Sequence, residues 1–350
     1  MDGPDEYLFG RIVGIAIADR GVTYVADAVG STVRAYDPNG RYLATIGSEG
    51  DGPGEFRHLL GLDIDPRGDL VVRGAFRLSV FRESTGSGVA ASLIRAVPIQ
   101  GPNPDRDIRG RAVGHDFYGP SYFWEGFQRR GYFYLVYDSV GTISDTVFVP
   151  PFREPESTGR ANYPVNAQGG RNVDGINRSP FEPRPSWDVD EEGHILFAEG
   201  ARYEIVKVGP GGDTLLTIRR PDETRPVPEG EGRDSAHAFL ARLDSVPVPL
   251  SQVRGMSQMA RAREIPDLLP EVIGVQVGEG GNLWVRRWPR GADESIFDVF
   301  DANGEALWQV VVPAMLTSNP APWISGDQIA GVVVDPATRV ETVAVFRLTR

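Results

Sequence analysis

Residues 12–74 constrain this chain most, because they lay down a pattern of short strands and then begin it again. Residues 12–18 are an apolar run ending at Asp19-Arg20-Gly21, and residues 22–27 form a second short run. Residues 32–37 alternate in polarity up to Pro38-Asn39-Gly40, a turn whose glycine suits a positive φ. Residues 42–46 complete the set, and residues 47–56 are a glycine-rich connection. Residues 60–68 and 69–74 then restart the pattern. Groups of four short strands, one group in roughly 40–45 residues, are the signature of radially repeated antiparallel sheets.

The same period can be followed along the chain. Blade one covers 12–47 and blade two 60–99, with later strands of blade two at 78–81 and 89–97. Blade three is expected at 113–117, 122–124, 132–137 and 143–149, followed by a polar connection at 150–185. Asn172-Val173-Asp174-Gly175-Ile176-Asn177, inside that connection, reads as a turn, since it lacks the closing Glu of a calcium loop. Blade four follows at 186–193, 194–198, 203–208 and 214–218, and blade five at 272–277, 282–285, 295–300 and 306–312. The last unit, at 322–324, 329–334 and 340–348, has three strands. A ring of blades leaves no long exposed sheet edge. The whole chain, 1–350, is therefore expected to be one all-β domain, a six-bladed β-propeller, with residues 6–9 adding the last outer strand.

Residues 221–270 break the pattern. Asp234 and Ser251 can each cap a helix, and Phe239, Leu243, Val253 and Met256 can line its apolar faces. A helical insertion at about 222–270, between blades four and five and packed over the mouth of the ring, is expected.

Composition removes several classes of function. A formal charge of −12 without a basic run disfavours a nucleic-acid partner. The absence of cysteine excludes disulfides, thiolate metal sites and a cysteine nucleophile. No run of apolar residues is long enough for a membrane-spanning helix. Met1-Asp2-Gly3-Pro4-Asp5-Glu6 has neither the basic nor the apolar region of a signal peptide. A monomer is expected.

Tyr24-Val25-Ala26-Asp27, Ala35-Tyr36-Asp37-Pro38-Asn39-Gly40, Ile46-Gly47 and Gly52-Pro53-Gly54-Glu55-Phe56 resemble the NHL repeat. The chain as a whole is similar to the NHL-like six-bladed β-propellers of bacteria, many of them secreted or lipid-anchored. The resemblance implies scaffold roles for Asp27 and the 52–56 loop, and an extracytoplasmic (periplasmic or secreted) location. It implies a fold rather than a reaction, since such relatives include RNA binders, sensor ectodomains and lyases. The RNA reading conflicts with the acidity of this chain.

Aligning the inner strands on Gly21, Gly68, Gly193 and Gly281 puts Ala16, Asp63, Asp188 and Gln276 in one register near the central channel. His115 joins them from blade three, and Trp187 and His58 are further candidates for binding at the channel or its mouth. Asp63 and Asp188 either hydrogen-bond backbone and channel water or serve as oxygen ligands to a hard cation such as calcium. Six-bladed lactonases and phosphotriesterases, which the fold resembles, hold channel calcium with Glu, Asn and Asp. No Glu or Asn falls in this register.

The long connections at 47–57, 100–111, 150–185 and 221–270 all join an outer strand to the next inner one, so they emerge on one face. Long loops on a rigid frame are where binding concentrates. The expected function is a scaffold that binds a small molecule or a protein on this face. The alternative is a calcium-dependent hydrolase of lactones or esters, with its site at the channel.

Overall fold

The computed structural model describes residues 5–83, 91–99, 111–113, 116–125, 128–152, 161–164, 172–175, 181–221, 223–229, 266–291, 293–335, 338 and 340–349. Its recurring local device is a turn of the form Asp-x-x-Gly. Asp37, Asp65, Asp138, Asp190 and Asp301 each accept, at Oδ1, the backbone N–H groups two and four residues ahead. The fourth residue is in each case a glycine with φ between 78° and 84°. The carboxylate thus satisfies the turn's amides while glycine takes the left-handed conformation.

These turns join short strands into sheets. Blade one is β1 (Ile12–Ile17), β2 (Thr23–Asp27), β3 (Thr32–Tyr36) and β4 (Tyr42–Ile46). Blade two is β5 (Gly61–Ile64), β6 (Leu70–Arg73), β7 (Arg77–Glu83) and β8 (Ala91–Pro98). Blade three is β9 (Arg111–Val113), β10 (Asp116–Glu125), β11 (Gln128–Tyr137) and β12 (Ile143–Phe148). A separate hairpin, β13 (Ala161–Pro164) and β14 (Asn172–Gly175), follows. Blade four is β15 (Ser186–Val189), β16 (Ile195–Ala198), β17 (Glu204–Val208) and β18 (Thr214–Arg219). Blade five is β19 (Val272–Val277), β20 (Leu283–Arg287), β21 (Ser295–Phe300) and β22 (Ala306–Val312). Blade six has β23 (Trp323–Ser325), β24 (Gln328–Val334) and β25 (Glu341–Arg347). Each sheet is an antiparallel meander in chain order.

The core lies between blades, so the faces of neighbouring sheets hold the ring together. Tyr24, Val25 and Val33 of blade one pack with Leu62 and Val72 of blade two, and also with Trp323 and Ala330 of blade six. Val71 and Val80 meet Phe117 and Leu135 across blades two and three. Tyr134 and Val147 meet Trp187 and Phe197 across three and four. Leu196 and Ile205 meet Val275 and Leu283 across four and five. Trp284 and Phe297 meet Ile324 and Ile329 across five and six. Six sheets with blade six closing on blade one make a six-bladed ring.

Three expectations need correction. Residues 113–117 are not one strand, because β9 ends at Val113 and β10 begins at Asp116, and 122–124 is not a separate strand but part of the ten-residue β10. Residues 172–175 are a strand rather than a turn, pairing with 161–164, two segments without apolar alternation. Residues 6–9 do not extend blade six, which has three strands; Asp5–Tyr7 is a 3-10 turn lying along blade one. It is held there by Tyr36 Oη, which donates to the Glu6 carbonyl, and by Arg34, which donates to the Leu8 carbonyl. The helical insertion expected at about 222–270 falls largely outside the described residues and is not shown. Its expected apolar residues Phe239, Leu243, Val253 and Met256 lie outside the described residues, and the described parts of 222–270 are extended.

Two glycines separate conformational cost from steric cost. Gly40 and Gly47 share nearly the same positive φ, 78° and 75°. A Cβ on Gly40 would meet nothing within 4 Å, whereas one on Gly47 would lie 2.2 Å from the Phe56 ring and 2.8 Å from the Gly54 carbonyl. Gly40→Ala is expected to cost about 1–2 kcal/mol from backbone strain alone. Gly47→Ala should cost clearly more, because Phe56 must leave its packing. Urea unfolding of the two variants side by side checks the order.

Candidate functional site

Each inner strand rises from the long-loop face to an Asp-x-x-Gly or similar turn, so the register positions meet where neighbouring inner strands approach. There Asp188 accepts the Val189 N–H at Oδ1 and, at Oδ2, the Val277 N–H of blade five, both at 2.9 Å. Gln276 of blade five donates from Nε2 to the Pro322 carbonyl at 2.7 Å, just before blade six. The two side chains therefore brace blades four to five and five to six. Asp63 is buried in the same register of blade two. At Ala16 the register carries no polar group, and there β1 packs directly on β5: a Cβ on Gly14 would lie 2.9 Å from the Leu62 nitrogen.

The other candidates are scattered. Trp187 points away from Asp188 and packs at a tilt against Tyr132, 4.3 Å between ring centroids, in the core between blades three and four. His58 is exposed in the connection after blade one, with a left-handed φ of 52°. His115 lies outside the described residues.

The connection carrying His58 is rigidly built. Glu55 Oε2 accepts the Gly52 N–H at 2.7 Å, and Phe56 packs edge-on against Phe81 under Gly47. Arg77 donates to the Asp51 and Gly52 carbonyls, and Arg57 pairs with Asp51. Asp27, for its part, accepts the N–H groups of Gly10, Arg11 and Val29, tying the entry into blade one to its second strand.

Among the described residues, a dense group of charges lies on the long-loop face between blades four and five. Asp298, 1% exposed, accepts bonds from Tyr203 Oη and Arg220 at 2.7 Å and from Gln309 at 2.8 Å. Arg287 stands 3.9 Å from Asp298 and from Glu271, and 2.8 Å from Glu223. Burial pushes the Tyr203 phenol far up, and the Asp298 carboxylate pushes it further. Burial alone would lower Arg287, but Glu223 and Asp298 outweigh it and raise the guanidinium above its ordinary value. Arg287 in turn holds the Glu223 carboxyl low.

This network anchors the base of the 221–270 connection. Arg225 donates to the Trp288 and Pro289 carbonyls, and 225–227 pairs with 267–269 in a short antiparallel ladder. Residue spacing did not reveal the site, since its members come from positions 203 to 309. The one local signal was Asp298 itself, an acid among Ile296, Phe297, Val299 and Phe300.

Among the described residues one group has metal-ligand character: Asp190, Glu192 and His194, whose ligand atoms lie within 4.8 Å of one another. It already contains a cation. Lys207 Nζ is 2.6 Å from Asp190 Oδ2, and His194 Nδ1 is 3.0 Å from the same oxygen. Burial pushes the Asp190 carboxyl up, but the bonds from Lys207 and His194 prevail and hold it below its ordinary value. A depressed carboxyl contributes stability that is present above its unfolded pKa and lost as pH falls through the folded one. The stability difference between the wild type and Asp190→Asn should be constant above about pH 5 and shrink below about pH 4. Urea melts across that range test it.

Residues 1–73 match a family described as a 6-bladed beta-propeller. Among solved structures, the propeller is similar to a putative exported protein from Bacteroides fragilis, with 13% identity and a TM-score of 0.48 over 100% of this chain and 94% of that one. It is also similar to virginiamycin B lyase from Staphylococcus aureus, with 13% identity and a TM-score of 0.41 over 98% of each chain. A third is the calcium-binding protein regucalcin from Agrobacterium tumefaciens, with 11% identity and a TM-score of 0.43 over 97% of this chain and 90% of that one. No curated protein matches this chain. No helix among the described residues is long and apolar enough to cross a membrane.

Proposed function

We propose that this propeller is an extracytoplasmic binding scaffold that engages a small molecule or a protein through its long-loop face. The observation that carries the reading is the asymmetry of the two faces. The Asp-x-x-Gly turns close one face with four-residue loops. The connections between blades, with the braced 47–60 loop and the 225–227 and 267–269 stem, gather on the other. Extended loops held by a rigid frame present a shaped surface at low ordering cost. The bonds made by Asp188 and Gln276 supply a structural use for the channel polar groups, which favours a scaffold over a hydrolase.

The test is hydrogen exchange of the protein against a panel of small organic acids, amines and sugars. New protection in residues 47–60, 221–229, 266–271 or 313–322 supports the proposal. Protection confined to the Asp-x-x-Gly turns overturns it. A calcium-dependent rise in melting temperature, together with turnover of a lactone or aryl ester, would replace it with the hydrolase reading.

A further inference from the structure

Blade six ends on a regular strand, β25, with nothing paired to its outer edge among the described residues. In the other five blades the ladder between the third and fourth strands carries a register shift, at 35–36, 80–81, 136–137, 207–208 and 299–300. Such a shift bends the outer strand and makes it a poor template for further pairing. β24 and β25 pair over seven residues without one. β25 also lacks the proline and lysine that commonly guard an exposed edge. The third strand of blade five, β21, is buried along its whole length, whereas every residue of β25 is half-buried or exposed.

The backbone phase of β25 follows from its two ends. The Leu348 N–H donates to the Asp327 carbonyl, and the Asp335 N–H donates to the Val340 carbonyl. The even-numbered residues of 340–348 therefore face β24, and Glu341, Val343, Val345 and Arg347 turn their N–H and C=O groups to the open edge. Their side chains share one face, since successive residues alternate. Glu341 Oε2 accepts the Ile12 N–H of blade one, which fixes one end of the row. Arg347, at the other end, stands 3.5 Å from Asp327, with 71% and 64% of the two side chains exposed. Along the edge the row reads acid, valine, valine, base. An antiparallel copy laid against it puts Glu341 opposite Arg347 at both ends and Val343 opposite Val345 between them. The edge is complementary to itself.

We propose that β25 is a self-association edge through which two copies of this chain pair antiparallel, in place of the expected monomer. Residues 341–347 of each copy meet about a two-fold axis at Ala344, and two three-stranded sheets become one continuous sheet. The outward residues exchange backbone hydrogen bonds, and the two Glu341–Arg347 pairs set the register. A two-fold contact of this kind is isologous and stops at a dimer. A second copy fits better than an unrelated peptide, because the edge's own sequence supplies the matching charges. The inference does not depend on the long-loop face.

The tests are sedimentation at rising concentration and cysteine cross-linking. The wild type should be largely dimeric at about 100 µM. Val345→Pro removes an outward N–H without touching the β24 ladder, so it should weaken the dimer about tenfold or more while the protein stays folded. Arg347→Glu and Glu341→Lys should each be monomeric alone and dimeric when mixed, because the mixture restores both charge pairs. The chain has no cysteine, so a single one reports the register. Ala344→Cys meets its own copy across the axis at about 4.5 Å between Cα atoms, within disulfide reach, and should form a covalent dimer with diamide. Thr342→Cys, placed opposite Phe346 of the second copy, should not. A monomeric wild type at about 100 µM, a dimer untouched by the charge variants, or equal cross-linking at both positions overturns the proposal. So does a monomer whose residues 341–347 gain exchange protection only with an added peptide. Should Val345→Pro fail to fold, the exposed Arg347→Glu carries the same test.

Discussion

Replacing Asp298 with alanine will destabilise the protein by about 3–5 kcal/mol, the usual consequence of stripping the partner from buried charges. The carboxylate is the shared acceptor of Tyr203, Arg220 and Gln309 and lies close to Arg287. Its loss leaves Arg287, 7% exposed, with Glu223 and Glu271, and leaves the Tyr203 hydroxyl buried without its acceptor. Asp298→Asn keeps an acceptor but not the charge and should fall between the two. Urea unfolding of both variants measures this. Hydrogen exchange should also show the 225–227 and 267–269 ladder opening early in Asp298→Ala, since Arg287 positions Glu223 at the head of that connection. A cost under about 1 kcal/mol would mean that the network is solvated and energetically idle.

The second large effect is expected at Asp188. Alanine there leaves the Val277 N–H without its acceptor across the boundary of blades four and five. The cost should be about 2–4 kcal/mol, from charge-assisted bonds lost and a buried donor left unmade. Asp188→Asn retains a carbonyl oxygen and should recover part of it. The same variants separate a brace from a metal ligand. A brace predicts the same stability loss with and without calcium. If calcium stabilises the wild type and Asp188→Ala abolishes that effect, the channel carboxylate is a cation ligand instead.

Much of the architecture was legible in local patterns. The strand ends in blades one, four and five follow from turn chemistry, because Asp-x-x-Gly states where the chain must reverse and which residue tolerates a positive φ. The pattern misled where local preference and tertiary pairing disagreed. The gap expected between strands at 113–117 and 122–124 instead lies within a long strand, Gly119 and Pro120 included, whose register is imposed by β11. The hairpin of β13 and β14 has no apolar alternation, so nothing short-range announced it. At the candidate site the register singled out Asp188 and Gln276, but not what they bond, the Val277 N–H and the Pro322 carbonyl.

Sequence alone determined the all-β class, the repeating four-strand unit and the gathering of long connections on one face. These depend on periods of two residues and of one blade, and on glycine and aspartate at turns, all of which are read along the chain. Tertiary structure alone decided which polar groups meet. Asp188 reaches Val277, Arg220 and Tyr203 reach Asp298, and Arg286 finds the carbonyls of Leu316 and Thr317. The physical reason is range: turn and strand preferences are set within a few bonds, whereas the value of a buried charge depends on partners brought close only when the ring closes.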